Sequence, residues 1–217
     1  MEQVFNFDWA HLPEYINPVL FTIGQLKIYW YGLMYPIAFL TSFLLIIYRI
    51  RREKLIFSES TVLDFLLWAI LGLIVGARLG HVISSDLAYY IANPLKIISP
   101  FDFSGGFHYT GILGMSYHGG MIGIVLVYIL FCHFRKINHW QFADLGTPAI
   151  PAGYTFGRLG NFINGELYGK VTQLPWGMYF PTDPTQQLRH PTQLYEALFE
   201  GIVLFVILWY LRKKKWF

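Results

Sequence analysis

The chain has 217 residues, 55% of them hydrophobic and only 13% Asp, Glu, Lys or Arg, about half the charged share of an ordinary globular domain. So few charges cannot cover a water-soluble domain of this size, and the composition reads as an integral membrane protein. Aromatic residues reach 19%, which suits Tyr and Trp belts at two interfaces, and a net charge of +3 is too small to imply nucleic acid.

The N-terminal stretch MEQVFNFDWAHLPEYINPVLF carries Glu2, Asp8 and Glu14 instead of a basic run. No cleaved signal peptide is expected there, and the first span is expected to act as the insertion signal. A bilayer-crossing helix needs roughly 20 apolar residues. The first such run is Ile28–Tyr48, which holds no charge. The second is about Leu63–Ser84, interrupted by Arg78 and His81. The third is about Gly119–Phe134, and the fifth is Leu194–Leu211. A fourth, Phe142 to about Asn161, is weaker because Pro148, Pro151 and several glycines break it. Main-chain polar groups must be paired at membrane depth, so all five are expected to be helices. Cys132 stands alone in VLVYILFC, so no internal disulfide can form. It reads as a small buried hydrophobe rather than a nucleophile.

The cations orient these spans. Arg49, Arg51, Arg52, Lys54, Arg135, Lys136, Arg212, Lys213, Lys214 and Lys215 share one side if all five runs cross, and Lys27, Lys96, Lys170 and Arg189 fall on the other. That bias puts the N-terminus outside and the C-terminus in the cytoplasm. The expected fold is an all-α polytopic membrane protein of about five helices, organised as a single domain over 1–217. The stretches 85–118 and 162–193 then face outward as irregular caps rich in Gly, Pro and aromatics. RKKKWF reads as a stop-transfer flank.

Polar groups interrupt this apolar chain at one depth. Arg78 in GARLGH and Arg158 in GRLGN lie late in spans that run outward, His118 in SYHGG opens span three, and Tyr31 lies near the outer end of span one. A charge at the bilayer centre costs about 2.5–3.5 kcal/mol on insertion scales. The plain reading is an interfacial polar layer, in which arginines snorkel and tyrosines sit at home. For Arg158 that reading is weakest. The stretch GRLGNFINGELYG, residues 157–169, holds one arginine, two asparagines, one glutamate and four glycines. Arg158 and Asn161 share a helix face, Gly157 and Gly160 permit close approach of a helix or ligand, and Asn164, Gly165 and Glu166 read as a turn.

Arginine and amide donors at this depth suit an anionic phosphate. Glu166 can orient an arginine or act as a base, and His118 can move a proton near neutral pH. His108 and His190 read as loop polar groups or as edges of the site. The scattered histidines, without HxxxH or CxxC, give no metal signature, and neither a GxSxG elbow nor a Walker loop is present. No cofactor is implied. Two non-enzymatic readings remain at this stage. One is a phospholipid or anion transporter using the same cluster, although only one span is broken and no repeat is seen. The other is a non-catalytic membrane scaffold.

The stretches GRLGNFINGELYG (157–169), MSYHGGMIG (115–123), WYGLMY (30–35) and RHPTQLYEALFEG (189–201) together resemble the prolipoprotein diacylglyceryl transferase family, in order and spacing, from about Asn17 onward. The resemblance implies a bacterial inner-membrane enzyme. It would move the diacylglyceryl group of phosphatidylglycerol to the lipobox cysteine in the signal peptide of a preprolipoprotein, forming a thioether and releasing glycerol phosphate. It carries functional status to Tyr31, His118, Arg158, Asn161, Glu166 and Gly169. Asn164 falls inside the same signature, and Arg78 matches a membrane arginine of a GxRxG segment. Two positions depart from the family pattern: Tyr29 stands where a histidine is usual, and His81 where a tyrosine is usual. The family normally continues through two further spans carrying another functional arginine, and this chain is expected to lack them.

Overall fold

The computed structural model describes residues 8–24, 26–85, 87–98, 101–102, 108–109 and 114–213, with residues 26, 101–102 and 108–109 described through their backbone alone. Lys214 and Lys215 of the basic flank, Glu2, and the His108 side chain lie outside the described residues. In chain order a 3-10 turn, Trp9–His11, leads into α1 (Leu12–Tyr15). A hairpin of β1 (Val19–Ile23) and β2 (Leu26–Tyr29) follows, and then α2 (Trp30–Glu53), α3 (Glu59–Ser85), α4 (Leu87–Ala92) and α5 (Leu95–Ile98). Two-residue strands β3 (Phe101–Asp102) and β4 (His108–Tyr109) precede α6 (Tyr117–Arg135), α7 (His139–Gly146) and α8 (Ile150–Ile163). The last rod, Thr192–Leu211, is α9 (Thr192–Glu196), a π-helical turn over Ala197–Val203, and α10 (Leu204–Leu211).

Among the described residues four helices are long and apolar enough to cross a membrane: Trp30–Glu53, Glu59–Ser85, Tyr117–Arg135 and Thr192–Leu211. The chain is therefore mostly helical, as a polytopic membrane protein requires. Three details differ from the sequence expectation. The first span begins at Trp30, because Ile28 and Tyr29 belong to an antiparallel strand pairing Tyr29 with Val19 and Leu26 with Ile23 around Gly24. The fold is thus not purely α. The fourth expected span is two helices, α7 and α8, separated at Thr147–Ala149. Pro151 sits in the first turn of α8, where a missing N–H is harmless, and the 14 residues of α8 give a rod of about 21 Å, short of the ~30 Å hydrocarbon core. Finally, α2 and α6 run through their basic flanks and end on Lys54 (φ 51°) and Lys136 (φ 54°) in the left-handed conformation, a common helix stop.

The chain forms two compact units, one from residues 1–54 and 143–217, the other from residues 55–142. In the second, α3 and α6 pack through glycine. Gly72, Gly76 and Gly80 recur every fourth residue on α3 and face Gly119 and Gly123 on α6. A methyl on Gly80 would fall 2.6 Å from Gly119 Cα, and one on Gly76 would fall 2.8 Å from Gly123 Cα. Such small-residue stripes let backbones touch where lipid gives helices no hydrophobic reason to associate. One end of this unit is an aromatic cluster of Phe57, Phe65, Tyr128, Phe131 and Phe142, with ring centres 5.1–6.2 Å apart.

In the first unit α8 lies along α2. A Cβ on Gly153 would meet Ala38 O at 2.8 Å, and one on Gly160 would meet Met34 Cβ at 3.1 Å and the Tyr31 ring at 3.2 Å. Arg49, counted above only as a topogenic charge, is buried inside α2. It donates to the carbonyls of Asp144 (2.6 Å) and Leu145 (2.7 Å) near the end of α7, where a cation suits the helix dipole. Glu53 joins Arg49 (3.1 Å) to Arg212 (2.7 Å), and Arg212 stacks on Trp209 at 4.2 Å.

Candidate active site

The GRLGNFINGELYG stretch spans the second half of α8 and the turn after it. α8 closes when Asn164 N–H returns to Gly160 O at 3.0 Å. Gly165 then takes φ +69°, a left-handed conformation that glycine adopts without strain. The turn brings Glu166 back onto α8: its N–H donates to Asn161 O at 3.0 Å, and its carboxylate accepts from Asn161 Nδ2 at 3.0 Å. Gln193 at the start of α9 pins the turn by donating to Glu166 O at 2.7 Å.

Arg158 occupies the same face, as its three-residue spacing from Asn161 predicts. Its Nη1 donates to Asn161 Oδ1 at 3.3 Å. Asn161 therefore receives from the arginine and donates to Glu166, a chain Arg158–Asn161–Glu166 built from one helix and its own turn. The Nε of Arg158 lies 2.6 Å from Glu196 Oε2 and 2.7 Å from Tyr154 Oη, to which it donates. Tyr154 in turn donates to Glu200 Oε2 at 2.8 Å, and its ring lies 4.9 Å from the guanidinium carbon. Tyr154, Glu196 and Glu200 were not singled out from sequence. The signal was present, because Glu196 and Glu200 stand four apart inside an apolar span, and an intramembrane carboxylate is a functional candidate by default. Glu196 immediately precedes the π turn and Glu200 lies within it; such bulges recur at functional sites.

Tyr31 stands on the α2 face that receives Gly160, its hydroxyl 2.5 Å from that of Tyr35. Gly160 thus serves helix contact, whereas a Cβ on Gly157 would meet nothing within 4 Å. Gly169 is a close-approach residue: a Cβ there would sit 2.6 Å from Thr192 Cγ2, and its N–H donates to His190 O at 2.8 Å. Tyr29 is exposed at the N-cap of α2.

Between α8 and α9 the chain makes a cap without regular elements. Phe162, Met178 and Phe180 form its core, with Tyr168 stacked on Phe180 at 5.1 Å. Asp183, 1% exposed, accepts from Arg189 Nε (2.7 Å) and Nη2 (3.1 Å), and Arg189 also covers the Tyr168 ring. These Arg189 bonds, helped by the Thr185 amide and hydroxyl and the Gln187 amide, hold the Asp183 carboxyl below the usual carboxylate range against the opposing effect of burial. The N-terminal turn closes the cap: His11 stacks on Tyr179 at 4.7 Å, and Tyr179 N–H donates to Ala10 O at 2.7 Å. His190 bonds Tyr195 Oη at 3.1 Å.

Arg78 and His118 belong to the other unit. Arg78 is buried and donates to the carbonyls of Lys96 (2.6 Å), Ile97 (2.6 Å) and Gly114 (3.2 Å), with Tyr90 5.2 Å below it. It clips α5 and the chain before α6 onto α3. These bonds engage Nε, Nη1 and Nη2 of Arg78 alike. His81 bonds Ser85 Oγ through Nδ1 at 3.0 Å, and Gly114 (φ +84°) presses on its ring so closely that no side chain fits there. His118 is exposed in the first turn of α6, after the N-cap Ser116, its ring 5.6 Å from that of Tyr117.

Fold and site together define a polytopic helical membrane protein that holds an arginine of the short helix α8 among carboxylates, an amide and a tyrosine. Residues 18–217 match the family model described as prolipoprotein diacylglyceryl transferase. The chain is 50% identical over 211 residues to the phosphatidylglycerol–prolipoprotein diacylglyceryl transferase of Chlorobaculum tepidum, covering 97% of this chain and 73% of that protein. It is 42% identical to the enzyme of that name from Campylobacter jejuni subsp. doylei and 41% identical to that of Aliarcobacter butzleri, in each case over 96% of this chain and 75% of the relative. The chain belongs to the prolipoprotein diacylglyceryl transferase family.

Proposed function

We propose that this chain transfers the diacylglyceryl group of phosphatidylglycerol to the cysteine thiol of a prolipoprotein, the lipobox cysteine of its signal peptide, and releases glycerol phosphate. The observation that carries the reading is the Arg158–Asn161–Glu166 chain, formed by the signature stretch in a member of this family. We further propose that the protein is a multi-pass component of the bacterial inner membrane with its N-terminus outside. In that reading α7 and α8 act as a broken fifth crossing, and both units serve one transferase domain. The bias of the basic residues supports the orientation.

In the reaction the thiol proton passes to a base, the sulfur attacks the glycerol carbon that bears the phosphate, and the C–O bond breaks with its electron pair leaving on the phosphate. A free cysteine titrates near about 8.5, so a base is needed at neutral pH. His118, exposed in the first turn of α6, takes that role. Arg158 holds the phosphate as its charge grows, Asn161 fixes Arg158 relative to Glu166, and Tyr31 donates to a lipid oxygen. Asn164 and Gly169 shape the turn against which the headgroup rests. Arg78 contributes its charge and keeps the preceding segment in place.

Purified protein incubated with phosphatidylglycerol labelled in its acyl chains and a lipobox peptide tests the proposal. The expected product is a peptide carrying the label through a thioether, with one glycerol phosphate released per peptide modified. Label that crosses a liposome bilayer while the peptide stays unmodified would instead mark a transporter.

A further inference from the structure

We propose that Glu196 is a positioning residue: it holds Arg158 by its Nε and thereby turns the Nη1–Nη2 edge of the guanidinium toward the lipid phosphate. The inference rests on the proposed function above and deepens it. A guanidinium offers a phosphate two bidentate edges, one end-on through Nη1 and Nη2, the other side-on through Nε and Nη2. Here the side-on edge is taken. Glu196 Oε2 lies 2.6 Å from Nε, and Tyr154 Oη, itself tied to Glu200, accepts from the same atom at 2.7 Å. The end-on edge is lightly used. Nη1 makes one long bond of 3.3 Å to Asn161 Oδ1, and among the described residues no partner is found for Nη2.

The surroundings reinforce the choice of edge. Two carboxylates, Glu196 and Glu200, stand on the Nε side, where a phosphate would meet like charge. Tyr154 stacks against the guanidinium plane and limits its rotation. Glu196 works through Arg158 and need not touch the lipid. The single Nε–H goes to Tyr154 Oη, so what Glu196 supplies at Nε is the negative charge of an ion pair.

That contact makes the charge the quantity to vary. Glu196→Asp keeps the charge, so its kcat is expected within about threefold of wild type. Glu196→Gln keeps the size and removes the charge, and is expected to lose about 100-fold in kcat with a smaller change in KM, the loss that a misaligned catalytic group produces. Equal defects in the two variants, or normal kcat in a folded Glu196→Gln enzyme, would overturn the inference. A second measurement does not depend on any variant folding. In the wild-type protein with 15N-labelled arginine, added phosphatidylglycerol should shift the Nη signals of Arg158 and leave its Nε–H signal in place. Movement of Nε–H with unmoved Nη would contradict the assignment. A wild-type protein that makes no thioether product removes the proposed function instead, whatever the Glu196 variants do.

Discussion

At the scale of single residues, one guanidinium and its partners carry the account. The link between Arg158 and Asn161 was legible from sequence because a spacing of three on a helix puts both on one face, and the structure joins them directly. The return of Glu166 was legible because Asn-Gly-Glu after an apolar helix is turn chemistry. Glu196 and Glu200 were not read, because Glu196 near the start of the last span passes as interfacial, and Glu200 gains meaning only through Tyr154 and Arg158. Arg78 shows the opposite limit. Its charge at membrane depth was visible, but nothing local announces that three main-chain carbonyls receive it. For His118, replacement by Gln should lower kcat by about 10²–10⁴ if it accepts the thiol proton. Near-normal turnover of the folded variant removes His118 from the role.

At the scale of elements, the helices were read well where apolar runs are long, and poorly where glycine and proline intervene. The spans Trp30–Glu53, Glu59–Ser85, Tyr117–Arg135 and Thr192–Leu211 cover four expected runs, each extended into its flank or cap. The β1–β2 hairpin was missed because VLFTI is as apolar as the span it precedes, and Ile28 and Tyr29 of LKIY read as the first residues of that span. The stripe Gly72, Gly76, Gly80 stands openly in the sequence as LGLIVGARLG, yet it gains meaning only beside Gly119 and Gly123. Gly76→Leu should therefore destabilise the α3–α6 pair by about 1–3 kcal/mol or more, the usual range for overpacking, seen as a lower Tm in detergent. An unchanged Tm would argue against this close approach. The cap makes a prediction in pH. The Asp183 pKa is depressed below its ordinary value of 3.8, so its stabilisation is fully present above that value and drains away as pH falls through and below it. Asp183→Asn should lower Tm near neutral pH and flatten the acid limb; an acid limb as steep as that of wild type would show that the Asp183–Arg189 pair does not govern it.

At the scale of the whole molecule, family membership, a mostly helical membrane architecture and a polar cluster agree on one activity. Composition alone excluded a soluble domain, and the four signature stretches named the family before any coordinates. The orientation of the chain follows from its basic residues and can be read with thiol chemistry, because the single cysteine, Cys132, is fully buried. A cysteine replacing Lys27 should react with a membrane-impermeant maleimide from outside intact cells, and one replacing Lys213 only after the cells are opened; the reverse pattern would invert the proposed topology. The most direct test of the central claim concerns Arg158. Thioether formation from labelled phosphatidylglycerol and a lipobox peptide should fall by about 100-fold or more in kcat/KM for Arg158→Lys, because a lysine supplies a point charge without the bidentate fork. Turnover equal to wild type in that variant would show that Arg158 does not grip the phosphate.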